Sequence, residues 1–330
     1  MQNNPLVSIV LPLYNSENFI EETIISILNQ TYTRFELLII NDGSTDNSIN
    51  IVKTFNDPRI NIIENDCNRG LVYTLNRGLL LCTGKYIARI DADDICYPHR
   101  IESQVLFLEN NSTISVCGMY AKPLFYKFSI KNFILSFSAS FKPPLNHKQI
   151  VLAHIFECRM IHPSIMLRKE IIESGYLYDP DKKHAEDYDL WIRISKKFIL
   201  ANLPKYGIKY RIHSGSVSQS NRLEQIENSL SSKISALRFF SDDPNLIKNF
   251  KKIISNDFNE FTELKEKVPA FFSFIDRFDR NISEYYFFRF CRKNSNYGLK
   301  LFNLYIKNTK EPKVRRIIII FILSILRKSI

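Results

Sequence analysis

Four short apolar runs, each closed by polar turn residues and separated by helical patterns, constrain this chain more than any other feature. Residues 7–11, 35–40, 60–64 and 86–90 are rich in Ile, Leu and Val over lengths that suit buried strands. Between the first two, residues 19–30 carry Ile20, Ile24, Ile27 and Leu28 at helical spacing. Glu21 and Glu22 fall in the first turn, where the helix dipole favours acid. Residues 47–55 and 71–81 also read as helices, 98–110 as a further helix and 114–119 as a further strand. The first strand is expected to stop at Pro12. Strands alternating with helices imply an α/β fold whose mostly parallel sheet is covered on both faces. In such a sheet, ligands bind at the carboxyl ends of the strands.

Polar residues gather at those ends. Tyr14-Asn15 follows the first run, Asn41-Asp42-Gly43-Ser44 the second, Asn65-Asp66 the third and Asp91-Ala92-Asp93-Asp94 the fourth. Any one of them is ordinary turn or N-cap chemistry. Four at one sheet edge point to a site, and two carboxylates one residue apart suit a hard divalent cation. Neither a Gly-x-Gly-x-x-Gly nor a phosphate-loop motif is present. A metal, rather than a cradle of backbone amides, would then offset a diphosphate.

The run Val7-Ser8-Ile9-Val10-Leu11-Pro12-Leu13-Tyr14-Asn15, then Asn41-Asp42-Gly43-Ser44-Thr45-Asp46, Asn68-Arg69-Gly70-Leu71, Ile90-Asp91-Ala92-Asp93-Asp94 and Ala185-Glu186-Asp187-Tyr188, in that order, resembles glycosyltransferase family 2. The resemblance covers roughly residues 6–218. It implies the GT-A fold, with a nucleotide-sugar half first and an acceptor half after the acidic motif. It also implies an inverting hexosyl- or N-acetylhexosaminyl-transferase using a nucleotide-diphosphate sugar, UDP-linked by preference. Mg²⁺ or Mn²⁺ is the implied cofactor and a glycan or lipid-linked molecule the implied acceptor, as in surface polysaccharide synthesis.

Roles carry over position by position. Pro12 and Tyr14 lie in the first donor-binding loop, where the Tyr14 ring either packs on the base or ribose or caps the core. Asp42, which the residues alone read equally as an N-cap after Ser44, matches the acid that accepts a hydrogen bond from a pyrimidine. Glu17 and Asn68 sit at weaker donor-contact positions, which the residues read equally as a first-turn charge and a simple loop amide. Asp91 is placed near ribose and metal and Asp93 on the metal itself, which offsets charge on the leaving diphosphate. Asp94 reads as a cap or supporting group, and Arg100 as structural.

Asp187 matches the base that takes the acceptor's proton; its simpler reading is an acid at a helix N-terminus. Glu186, Trp191 and His162 are expected on the acceptor side, with Trp191 either an apolar platform or a buried core indole. His213 and Arg211 match a segment that closes over the donor diphosphate, His213 near the metal and Arg211 adding positive charge.

The six cysteines show no paired metal spacing and read as reduced thiols of a cytoplasmic protein. No secretory signal is visible at the N-terminus. Charge is uneven: from Arg222 to Ile330 there are 21 Lys/Arg against 12 Asp/Glu, which accounts for +9 of the chain's +11. This sets a catalytic domain over 1–218 apart from a basic, mainly helical region over 219–330. Its aromatic clusters and positive charge favour an anionic lipid surface over nucleic acid, for which no motif is present. At its end, residues 317–326 are apolar and bracketed by Arg315, Arg316, Arg327 and Lys328. That stretch is about half the ~20 residues needed to span a bilayer. It suits peripheral contact with the inner face of the membrane, or else a helix docked on protein. Two alternatives to a transferase are a sugar nucleotidyltransferase, which would be expected to carry a glycine-rich nucleotide loop, and a non-catalytic nucleotide-sugar binding module.

Overall fold

The computed structural model describes residues 4–126, 140–213, 222–255 and 261–293. They fall into two compact units, one drawn from residues 1–151 and 158–232, the other from 152–157 and 233–330.

The first unit is an α/β layer structure of the expected class. Its strands are β1 (Val7–Leu13), β2 (Phe35–Asn41), β3 (Ile60–Glu64), β4 (Tyr86–Arg89), β5 (Ile95–Cys96), β6 (Ile114–Phe125), β7 (Met166–Arg168) and β8 (Ile199–Ile212). They form one sheet in the order β3-β2-β1-β4-β7-β6-β8-β5. β3, β2, β1 and β4 run parallel, while β7 joins β4 and β6 antiparallel. The helices are α1 (Ile20–Leu28), α2 (Ser48–Lys53), α3 (Leu71–Leu81), α4 (Arg100–Asn110), α5 (His147–Ala153), α6 (Glu170–Glu173) and α7 (Glu186–Ser195). The central strands are buried on both faces. Ile9, Leu11, Leu37 and Ile39 pack with Ile24 and Ile27 of α1, and Val10, Leu38 and Ile40 pack with Leu75 and Leu79 of α3. Two-sided burial is why these strands read as continuous apolar runs instead of alternating ones.

Two expectations are corrected. β1 does not stop at Pro12 but continues to Leu13, with Pro12 in register with Ile40. The Val10 carbonyl accepts from Ile90 on the β4 side, and the Leu13 carbonyl accepts from Asp42 on the β2 side. Residue 12 therefore faces β4, whose pairing with β1 ends at Arg89, and the missing N–H has no partner to disappoint. Strand β8 was not anticipated, because Pro204 and Gly207 interrupt its pattern. It pairs with β6 through register shifts near Tyr120 and lies antiparallel to β5, with Ile95 opposite Lys209. That pairing carries the end of β8 back to the segment that follows β4.

The second unit is helical: the C-terminal part of α8 (Arg222–Leu237), then α9 (Pro244–Ser255), α10 (Phe261–Asp276) and α11 (Arg280–Lys293). Phe250, Phe271, Phe272, Tyr286, Phe287 and Phe290 are buried in it, so most of the clustered rings pack as core, while Phe239 stays 36% exposed. Phe156 stacks on Tyr286 at 4.1 Å between ring centroids, and Glu157 accepts a 3.0 Å hydrogen bond from the Tyr286 hydroxyl. Among the described residues no helix is long and apolar enough to cross a membrane. Residues 315–330, the expected membrane-contacting segment, lie outside the described residues.

Gly43, just past β2, has φ +71°, and a Cβ there would stand 2.9 Å from the Asn68 backbone nitrogen. Gly43→Ala combines left-handed strain with that clash and is expected to destabilise the fold by about 1–3 kcal/mol. Equilibrium denaturation checks this; unchanged stability would mean that the two loops are not held this closely.

Candidate active site

The acidic loop is built on a clamped strand end. Arg100, 1% exposed in α4, donates to the Arg89 carbonyl at 2.6 Å and to the Ile165 carbonyl at 3.4 Å, and so fixes where β4 stops. Beyond it, the Arg89 guanidinium grips the Asp91 carboxylate through both Nη atoms, Nη1 lying 2.9 Å from Oδ2. The end of β8 holds the rest. The Arg211 backbone N–H donates to Asp94 Oδ1 at 2.8 Å, its Nε donates to the Asp93 carbonyl at 2.6 Å, and its Nη2 reaches Glu22 at 2.6 Å. His213 Nε2 lies 2.9 Å from Asp93 Oδ2, with its ring against Phe19.

Ligand oxygens of Asp91, Asp93 and Asp94 lie within 4.8 Å of one another. Burial first, and the neighbouring carboxylate Asp93 among other charges, push Asp91 up to about 6 despite Arg89. Burial, then Asp91 and Asp93, raise Asp94 well above the usual carboxylate range. Asp94 Oδ2 is buried, with no hydrogen-bond partner among the described groups. A divalent cation would reverse the upward shifts of Asp91 and Asp94, since it favours the ionised forms around it. Oxygen donors with a single imidazole suit Mg²⁺ or Mn²⁺, so the residues fit the expected ion.

The other strand ends carry the residues expected on the donor side. Asp42, 4% exposed, does not cap α2. Its carboxylate accepts from Asn65 Nδ2 at 2.7 Å and from the backbone N–H groups of Arg69 and Gly70 at 2.8 and 2.9 Å. The turn after β2 is closed by Asn41, whose side chain accepts from the Ser44 N–H at 3.1 Å, and the Ser48 N–H at the start of α2 donates to Asp46 at 3.0 Å. Glu17 accepts from the Asn47 N–H at 2.9 Å, and its own N–H donates to Asp46, tying the first two loops together. Asn68 accepts from Gly70 at 3.1 Å. Tyr14 is 47% exposed, whereas Pro12 is buried in β1. The Arg211 guanidinium, expected on the donor side, bonds the Asp93 carbonyl and Glu22 and so braces the acidic loop.

Glu186 and the half-buried Asp187, expected beside the acceptor, open α7. Burial leads in raising the Asp187 carboxyl above its ordinary range, and the Cys158 thiol donates to its Oδ2 at 3.8 Å. His162 Nε2 lies 2.6 Å from the Tyr178 hydroxyl, and burial holds that imidazole well below its usual value, hence neutral. Trp191 has no exposed surface, so the platform reading fails; its indole stands edge-on behind His162 at 6.0 Å and supports it from the core. Arg89, Cys158 and Tyr178 were missed. A signal for Arg89 was present, since an arginine inside an apolar strand run is a buried charge that must be paired.

The sequence model described as glycosyl transferase family 2 matches residues 8–175. An uncharacterized glycosyltransferase of Haemophilus influenzae is 38% identical over 231 residues, covering 69% of this chain and 72% of its own length. The UDP-Glc:alpha-D-GlcNAc-diphosphoundecaprenol beta-1,3-glucosyltransferase WfaP of Escherichia coli is 31% identical over 225 residues, covering 68% and 84%. Among solved structures, the mannosyltransferase PcManGT of Pyrobaculum calidifontis in complex with GDP-Man and Mn²⁺ superposes with a TM-score of 0.57. It is 14% identical and covers 99% of this chain and 88% of its own, a likeness of fold.

Glu186, 8% exposed, is raised from 4.5 to about 7, by burial first and the Asp187 charge second. A carboxyl raised in this way favours the folded state fully below about pH 4.5 and loses that contribution as pH rises through about 7. Glu186→Gln, always neutral, should gain several degrees in Tm relative to the parent between about pH 5 and about pH 8. A Tm difference that stays flat across that range, by scanning calorimetry, would remove the buried-carboxyl reading.

Proposed function

The chain belongs to glycosyl transferase family 2, and from that premise we propose that it is a metal-dependent, inverting transferase of a sugar from a nucleotide-diphosphate donor, UDP-linked by preference, to a lipid-linked or glycan acceptor. Its activity class, a glycosyltransferase, follows from the relatives. The observation that carries the finer reading is the gathering of three carboxylates within 4.8 Å, with His213 against Asp93. WfaP supports the UDP donor and lipid-diphosphate acceptor by its name, and PcManGT supports Mn²⁺.

Asp93, Asp91 and His213 would hold the ion. Bound there, Mg²⁺ or Mn²⁺ would offset charge developing on the leaving diphosphate. Asp42 and the loops it ties would hold the nucleotide, with Tyr14 against the base or ribose, and Glu17 and Asn68 shaping the rim. In the single displacement, the acceptor oxygen bonds to the anomeric carbon as the bond from that carbon to the diphosphate breaks. Asp187 takes the acceptor's hydroxyl proton. Its burial helps, because a carboxylate desolvated above its ordinary range is a stronger base than one in water. Glu186 and His162 orient the acceptor. With a lipid-linked acceptor, the enzyme would work against the inner face of a membrane, and residues 315–330 are the segment proposed to touch it.

A screen of UDP-, GDP- and dTDP-sugars for nucleoside-diphosphate release with Mn²⁺ tests the reading. Asp93→Ala should abolish release and weaken donor binding; full turnover by this variant, or by the parent in excess chelator, would end the metal proposal. Asp187→Asn should keep donor affinity and lose turnover on the order of a hundredfold or more. An unchanged single-turnover rate would move the base elsewhere, Glu186 first.

A further inference from the structure

Strands β6 and β8, which lie side by side, both come from stretches of chain without acid: no Asp or Glu stands between Glu109 and Glu157, nor between Asp189 and Glu224. On this pair Lys122 is level with Lys209, and both are exposed, as is Lys142. None of the three makes an ion pair among the described residues. Lys205, one residue before Tyr206, acts instead on Glu102 of α4. The three ammonium groups are seated on tyrosine rings. Lys122 Nζ lies 4.9 Å and Lys142 Nζ 6.0 Å from the centre of the Tyr206 ring, and Lys209 Nζ lies 5.9 Å from that of Tyr97. The centres of these two rings are 6.5 Å apart, and Tyr120 stands 6.0 Å from Tyr206. Phe141, 43% exposed, is tied to Ala121 by backbone bonds of 2.9 and 3.1 Å, and its ring lies 5.9 Å from that of Tyr210. The patch adjoins the acidic loop, since Tyr97 follows β5 and Lys209 pairs with Ile95, the residue after Asp94.

We propose that this lysine–tyrosine surface, built on β6, β8 and the residue after β5, docks the catalytic unit on an anionic phospholipid membrane, so that an acceptor carried in the bilayer meets the site at headgroup level. The inference deepens the reading of a lipid-linked acceptor and rests on it. Fold stability does not account for the patch, because like charges set level on neighbouring strands cost stability. An anionic surface removes that cost. The residue types also favour headgroups over a fixed anion. Lysine is a flexible point charge, whereas recognition of one bound carboxylate or phosphate favours the planar fork of arginine, and the three cations here are all lysine. Lysine stems lie along apolar surface while their ammonium groups stay in water, and tyrosine suits a boundary that is apolar on one side and wet on the other. The exposed Phe141 ring adds an apolar group at the same place. Each lysine near an anionic leaflet strengthens attachment about fivefold. This contact lies in the first unit and is separate in sequence from residues 315–330.

The test sediments the full chain with vesicles of phosphatidylglycerol and phosphatidylcholine, and with phosphatidylcholine alone, in the absence of donor and acceptor. The parent should bind the anionic vesicles, bind the neutral ones far less, and come off in high salt. Lys122→Gln, Lys142→Gln and Lys209→Gln together should weaken anionic binding roughly a hundredfold. The triple variant should melt no lower than the parent, because it removes like charges from neighbouring strands. If it does not fold, the single variants serve, each expected about fivefold weaker. Lys53→Gln, Lys196→Gln and Lys197→Gln together make the same charge change elsewhere in the first unit and should stay within about threefold of the parent. The proposal is overturned if the parent ignores anionic vesicles, or if the two triple variants bind them alike. It is also overturned if the patch binds a soluble polyanionic saccharide, dextran sulfate, while the parent leaves vesicles alone, which would make the surface a glycan site. Turnover on a lipid-diphosphate acceptor is scored separately: its absence beside patch-dependent vesicle binding removes the acceptor reading and keeps the docking surface.

Discussion

Carboxylates that crowd together must be held together, because each destabilises its neighbour's charge, and the first unit is arranged to do this at one strand end. Asp91, Asp93 and Asp94 are each restrained by a group from elsewhere in the fold: Arg89 on Asp91, His213 and the Arg211 side chain on Asp93, and the Arg211 backbone on Asp94. Arg100 acts one step behind them through the Arg89 carbonyl. Residues from β4, α4 and the end of β8 therefore meet around a single turn of chain. The order of the strands explains how. β8 lies beside β6 and pairs with β5, which continues directly from the acidic loop, so the chain's return along β8 ends over the carboxylates.

The loops after β1, β2 and β3 follow a different logic, in which side chains of one loop serve the backbone of the next. Asp42 satisfies the N–H groups that open α3, Glu17 and Asp46 bind across the first two loops, and Gly43 admits the Asn68 backbone. Parallel strands place these loops side by side, and short polar side chains bridge them without a glycine-rich cradle. The Tyr14 ring is left 47% exposed in the first loop.

Much of this was legible in the sequence, and for a physical reason. The residues of β1 to β4 and of α1 and α3 fill layers buried on both sides, so their apolar patterns are dense and local. The acidic motif reads directly because carboxylates at a strand end have few other uses in that number. What did not read depends on contacts made far along the chain. Strand β8 hides behind Pro204 and Gly207 and is defined by pairing with β6. Arg211 looked like a donor contact until its guanidinium was seen bound to Asp93 and Glu22, some 118 and 189 residues away in sequence. Trp191 and most rings of the helical unit's aromatic clusters carried the opposite ambiguity: rings that could face a substrate or lipid are packed inside. Side-chain type was readable, but the direction each chain faces was set by tertiary packing.

The central claim is that the acidic loop after β4 is assembled to receive one divalent cation beside a nucleoside diphosphate. Anomalous diffraction from crystals of the full chain grown with Mn²⁺ and UDP tests it most directly. The account requires one manganese peak per chain, bonded to the Asp93 carboxylate and to oxygens of the nucleotide's diphosphate, with Arg89 still on Asp91. Diphosphate bound with no manganese at Asp93, or manganese held at another group of side chains, would contradict it.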